Sequence, residues 1–196
     1  MWKIVVLLTL GILGCTGQPP AGFNGTDITG SAIGQSLAGL RDGHGQERSI
    51  AEFHGKAVVV FFGYTTCPDV CPTTLSRLAG VLKTLGAEAQ RVQVILVSVD
   101  PETDTPEILG RYVGAFDPSF IGLSGNPAAT EEVARGFKVF FSKGGHGHHA
   151  GGRAIDHTTG AYVFDPAGRI RLYVKDDASA EGIVGDLRRL LAEQPA

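Results

Sequence analysis

The sequence predicts an α/β fold, a three-layer sandwich of helices around a mixed central β-sheet. Three observations predict it. From residue 57 onward, apolar runs of strand length alternate with segments of helical length. Near the C-terminus two strand-like runs flank Asp165-Pro166-Ala167-Gly168, which reads as the turn of an antiparallel hairpin. Between the first strand and the first helix stand two cysteines, Cys67 and Cys71, four residues apart.

The elements follow in order. Thr29 to Phe53 is mixed in character, and a short hairpin is expected around Leu37–Gly43, with Asp42-Gly43 as its turn. Ala57-Val58-Val59-Val60-Phe61-Phe62 is a buried strand, and Pro68 to Leu85 is a helix closed by Gly86. A strand over Val92–Val99 comes next. The helix from Pro106 to about Phe116 is opened by Asp104-Thr105-Pro106, with proline at its first position. Phe120–Leu123 is a strand and Pro127–Phe137 a helix. Tyr162–Phe164 and Ile170–Val174 are the hairpin strands, and Ser179–Leu191 is the last helix. A βα unit with a cysteine pair at the start of its helix is the thioredoxin-like arrangement. Ser142–Arg153, with five glycines and three histidines, reads as a surface loop.

The 196 residues suit one domain with a sizeable core, and 43% hydrophobic content is enough to order it. A net charge of −3 with no basic stripe argues against a nucleic-acid partner. At the N-terminus, Lys3 precedes an apolar run, Ile4–Gly14, that ends at Cys15. The run is too short to span a bilayer but fits the apolar region of an export signal. Ile12-Leu13-Gly14-Cys15 also resembles the bacterial lipobox, in which the cysteine carries lipid; an uncleaved anchor is the alternative. The expected organisation is therefore a lipoprotein-type signal peptide over 1–14, a flexible tether over 15–28 and the folded domain over 29–196. Either reading tethers the domain outside the cytoplasm.

With Cys15 lipidated, Cys67 and Cys71 remain as a thiol pair in an oxidising compartment. A disulfide between them closes too short a loop to serve mainly as a staple. On a helix, positions i and i+4 share a face, so the two sulfurs form either a redox couple or two-thirds of a soft-metal site. The partial positive charge of the helix N-terminus favours thiolate at a nearby cysteine. Two thiolates seldom complete a copper or zinc site. Of six histidines, His157, just before the strand Tyr162–Phe164, is the best third ligand; His44 and His54 read as solvated surface residues. Two sulfurs and one imidazole suit Cu(I) and tolerate Cu(II) with added ligands.

Gly63-Tyr64-Thr65-Thr66-Cys67-Pro68-Asp69-Val70-Cys71-Pro72, Ser98-Val99-Asp100-Pro101-Glu102-Thr103-Asp104-Thr105-Pro106 and Asp156-His157-Thr158 resemble the signature segments of the Sco/SenC family, in the family's order. The similarity runs from about Ile33 to Leu191. It implies a thioredoxin-like domain tethered to the periplasmic face of a bacterial envelope membrane that delivers copper to, or reduces the thiols of, the binuclear copper site of cytochrome c oxidase. The copper ligands it implies are Cys67, Cys71 and His157, the two cysteines doubling as redox thiols. It further implies the copper-site subunit of the oxidase as partner, with a periplasmic thiol reductant or copper donor. The lipobox-like anchor and the histidine-rich loop depart from the family's commonest pattern.

Three features stay open on the residues alone. Asp100–Asp104 either forms a docking or copper-tuning surface, or serves locally, with Asp104 or Thr105 capping the next helix. Asp156 either orients His157 or only shapes a turn. Gly145-His146-Gly147-His148-His149 either collects metal weakly or is a solvated loop. A thiol–disulfide oxidoreductase without obligatory metal and a copper or redox sensor are the competing functions; a peroxidase is weaker, and acid–base catalysis lacks paired carboxylates or a nucleophile triad.

Overall fold

The computed structural model describes residues 22–34, 36–144 and 155–193. A six-stranded sheet runs in the order β1-β8-β7-β2-β3-β4. Its strands are β1 (Thr26–Asp27), β2 (Ala57–Gly63), β3 (Val92–Ser98), β4 (Ile121–Leu123), β7 (Ala161–Phe164) and β8 (Ile170–Val174). β2 pairs in parallel with β3, and β3 with β4, whereas β7 runs antiparallel to β2 and β8 antiparallel to β7. The sheet is mixed, as expected.

β2 and β3 are buried along their whole length because both faces of the sheet are covered. Val59 and Phe61 of β2 and Val94 and Leu96 of β3 point into one core with α1 (Val70–Leu85), α2 (Pro106–Gly114) and α4 (Ala180–Ala192). The alternate residues Val58, Val60, Phe62, Ile95 and Val97 meet the second core, where α3 (Pro127–Gly136) and the 3-10 turn Ile50–Phe53 pack. Period-two alternation thus splits one continuous apolar run between two layers. Phe137, fully buried at the end of α3, is set edge-on against Phe62, Tyr162 and Phe164 at centroid distances of 5.1, 5.2 and 6.2 Å.

Helix starts follow their caps. Thr105 accepts from the Ile108 N–H and Asn126 from the Ala129 N–H, each followed by proline at the first turn. Ser179 caps α4 through the Gly182 N–H.

Four expectations change. The hairpin near residues 37–43 shrinks to one bridged pair, Arg41 with Glu47, and Arg41 also bridges Ser124. Its turn begins at Asp42, which accepts from Gly45, so the strand partners fall later than the Asp42-Gly43 pattern suggested. Residues 24–28, placed in the tether, are bound to the domain: the buried Asp186 carboxylate accepts from the Asn24 and Gly25 N–H groups, each at 2.8 Å, and β1 pairs with β8. Ser142 is not in a loop, because β5 (Phe141–Lys143) pairs antiparallel with β6 (Ile155–His157) in a separate two-stranded sheet. The first helix starts at Val70 rather than Pro68. Cys15 and His146, His148 and His149 lie outside the described residues. Among the described residues no helix is long and apolar enough to cross a membrane.

Phe137→Ala removes the ring that joins α3 to the sheet, and we expect it to lower unfolding free energy by about 3–5 kcal/mol. Urea denaturation followed by circular dichroism measures this; a loss below about 1 kcal/mol would mean that the second core closes over the gap.

Candidate metal and thiol site

The parallel pair β2–β3 sets the site, because its carboxyl ends deliver the cysteine loop and the acidic loop side by side. The Val99 N–H donates to the Gly63 carbonyl at 2.9 Å, extending the pairing past the last strand residues. Gly63 has no side chain for a physical reason: a Cβ there would sit 2.6 Å from the Cys71 sulfur. The sulfur occupies that space.

The cysteines are not two equivalent positions on one helix turn. Proline at 68 disfavours helical backbone at Cys67, so Cys67 lies in the turn before α1 while Cys71 lies in its first turn. The sulfurs still approach, since the Cys71 N–H points at Cys67 Sγ at 3.5 Å. Asp69 flanks the helix start without a side-chain capping bond, so the Cys67 sulfur stands where a capping oxygen would. Both thiols are free, Cys67 half-buried and Cys71 2% exposed. Burial pushes the Cys71 thiol well up from its ordinary value, and charge on Cys67 and Asp104 adds to the shift. The expected gain of thiolate from the helix terminus is overridden at Cys71 by desolvation.

Tyr64 links the cysteine loop to His157. Its ring is set edge-on to the imidazole at 5.9 Å, and its hydroxyl accepts from the Ile155 N–H at 3.3 Å. His157 Nδ1 lies 3.0 Å from the Thr158 carbonyl. A carbonyl only accepts, so Nδ1 carries the proton and the Nε2 lone pair is left for a ligand. Asp156 is exposed on the opposite side of β6 and does not orient the ring. The chain beyond His157 is pinned: Tyr173 donates its hydroxyl to the Thr159 carbonyl, and Gly160, at φ +110°, leaves no room for a Cβ beneath that ring.

Cys71 and His157 line one narrow crevice, walled by Phe61, Phe62, Val70 and Leu78. Arg77 also lines it, with its Nε buried and unpartnered and its Nη1 donating to the Ala178 carbonyl at 3.3 Å. Among the described residues no three His, Cys, Asp or Glu side chains stand close enough together to hold a metal ion. Cys71 and His157 thus share a crevice without forming a closed three-donor set, and Cys67 stands beside Cys71 outside the crevice lining. His44 and His54 are exposed and do not line the crevice.

Asp104 is the residue whose role the sequence did not disclose. Its fully buried carboxylate accepts from the Thr65 N–H at 3.0 Å, from the Thr65 hydroxyl and from the Ser98 hydroxyl at 2.7 Å. Thr105 alone caps α2, which frees Asp104 for this clamp. Burial raises the Asp104 pKa above its ordinary 3.8, although the bonds from Thr65 and Ser98 oppose the shift. Above it, burial pushes the Tyr112 phenol up to about 12, with charge on Cys71, Cys67 and Asp104 contributing.

A carboxyl group with a raised folded pKa contributes stability that is whole below 3.8 and is lost as pH rises through the folded value. Asp104→Asn lacks that loss. We expect its stability relative to the parent to improve steadily as pH climbs from 3.8; urea titrations over a pH series check the slope, and the opposite slope contradicts the assignment.

The SCO1/SenC family model matches residues 31–192. The chain is 36% identical over 164 residues to the mitochondrial SCO2 homolog of Mus musculus, covering 83% of this chain and 64% of that protein. It thus spans somewhat under two-thirds of that relative's length. The solution structure of apo Sco1 from Thermus thermophilus matches with 40% identity and a TM-score of 0.72, over 86% of this chain and 97% of that one. The copper-bound structure of ScoI from Bradyrhizobium japonicum matches with 35% identity and a TM-score of 0.68, over 85% and 98%. The fold, the thiol pair at the helix start and the span of the match agree: this chain belongs to the SCO1/SenC family.

Proposed function

We propose that the domain is a copper metallochaperone, tethered to the periplasmic face of the envelope membrane through lipid on Cys15, that serves the binuclear copper site of cytochrome c oxidase. The observation that carries this is the crevice shared by Cys71 and His157, with the Cys67 sulfur held at the adjoining helix start. Copper is the cargo. Two thiolates and a neutral imidazole form a soft donor set suited to Cu(I), and the donor set is chemically right even though it is not closed in this structure. His157 rides on the β5–β6 hairpin, which is not bonded into the main sheet. The hairpin is anchored by Ile155, buried in the second core and bonded through its N–H to Tyr64, so closing the donor set calls for a local shift of His157 relative to the sulfurs. The copper-bound relative supports the same cargo.

A second reading follows from the burial difference between the thiols. A half-buried Cys67 in front of a buried Cys71 suits disulfide exchange. An incoming disulfide is attacked by the Cys67 thiolate; Cys71 then displaces the partner, whose two sulfurs leave as thiols while Cys67–Cys71 becomes the disulfide. Two electrons pass to the partner. Both roles use one dithiol, because a disulfide cannot hold the copper.

The reduced domain should take up close to one Cu(I) per chain. Cys67→Ser and Cys71→Ser should abolish uptake, and His157→Ala should weaken it at least about tenfold, or 1.4 kcal/mol. Competition with a colorimetric Cu(I) chelator measures this. Unchanged affinity in His157→Ala would remove the third ligand and leave the exchange reading.

A further inference from the structure

Tyr64 stands where the thiol loop meets the strand that carries His157. It is the first residue past β2 and is 4% exposed. The Cys67 N–H donates to its carbonyl at 3.3 Å, so residues 64–67 form a turn that brings the tyrosine and the cysteine together. Both pack into the second core, as does Ile155 of β6. The phenol oxygen accepts from the Ile155 N–H at 3.3 Å, and the ring is edge-on to His157. A hydroxyl that accepts one bond still has a proton to donate, and the Cys67 sulfur lies within its hydrogen-bonding reach. One oxygen thus meets a reacting thiol and the backbone of the imidazole's strand. A phenylalanine ring would fill the core equally well, and a buried hydroxyl is costly to desolvate. These two bonds account for its presence.

We propose that the Tyr64 hydroxyl is a positioning group for the dithiol state, donating to the Cys67 sulfur while it holds the strand that carries His157. This deepens the exchange reading given above and rests on it. A reduced cysteine sulfur accepts a hydrogen bond, and does so most strongly as thiolate. Oxidation joins Cys67 to Cys71, releases two electrons and the proton of each thiol, and leaves a neutral disulfide sulfur that accepts far more weakly. The hydroxyl therefore favours the dithiol over the disulfide. Its effect also reaches β6. A hydroxyl that donates to sulfur is polarised and accepts more strongly from the Ile155 N–H. Ile155 and His157, two residues apart on one strand, share a face. The imidazole's strand is thus held most tightly when the thiols are reduced, the state that can take copper.

Tyr64→Phe keeps the ring and removes the hydroxyl. The metal-free protein is equilibrated with mixtures of reduced and oxidised dithiothreitol; the disulfide of the oxidised reagent breaks and takes up the two electrons and two protons that Cys67 and Cys71 release. We expect the variant to favour the Cys67–Cys71 disulfide about tenfold more than the parent does, a potential ~30 mV more negative. In the parent, amide hydrogen exchange at Ile155 should be several-fold slower in the dithiol form than in the disulfide form. In Tyr64→Phe that difference should vanish. A tyrosine that only packs would lower the thermal midpoint on substitution and move neither readout. An unchanged potential in the variant would overturn the proposal and leave thiol exchange intact. Equal Ile155 exchange in the two forms of the parent, a comparison that needs no variant, would overturn it too. A parent whose Cys67 and Cys71 never oxidise in these mixtures would remove the exchange reading and the proposal with it, leaving copper delivery.

Discussion

The carboxylate of Asp104 fixes three stretches of chain to one another, and the thiol site depends on that junction. The loop that carries Cys67 leaves β2 with no sheet partner of its own. Thr65 gives it one, through a backbone and a side-chain bond to Asp104, and Ser98 ties the same carboxylate to the end of β3. A buried carboxylate is expensive to desolvate. Three donors offset part of that cost and hold the turn in place. The position of Cys67 relative to Cys71 is thus set by a residue more than thirty positions further along the chain.

Behind this junction the two sulfurs are made unequal. Gly63 leaves a hole that Cys71 fills, so its thiol is withdrawn from water, while Cys67 stays half-buried at the helix start. The imidazole proposed as third donor is mounted differently. His157 stands on a small hairpin outside the main sheet, held by Tyr64 on one side and by the Tyr173–Thr159 bond on the other. A dithiol fixed at a helix start, with an imidazole carried on a separate element, suits the proposed uptake and release of a metal.

Much of this was legible in the sequence, and the reasons are local. The apolar runs 57–62 and 92–98 could be little else than buried strands, and Asn126-Pro127, Thr105-Pro106 and Ser179 mark helix starts by capping chemistry that needs no tertiary context. The cysteine spacing and the position of His157 before β7 pointed to one site. What escaped notice depends on distant contacts. Nothing near Asp104 says that its carboxylate turns away from the helix it precedes toward Thr65. Tyr64 and Gly63 stood inside a recognised motif, yet their roles exist only once β6 and α1 are in place. β5 was hidden because its run, Phe141–Lys143, is short and its partner lies beyond a glycine-rich stretch. Pro68 invites a helix start at its own position, whereas Asp69, at φ −141°, keeps the helix from starting before Val70.

X-ray absorption spectroscopy at the copper edge on the Cu(I)-loaded domain tests the central claim most directly. Two sulfur neighbours and one nitrogen neighbour around each copper, with the nitrogen lost in His157→Ala, is the result this account predicts. A shell of sulfur alone, the same with and without the imidazole, would contradict it.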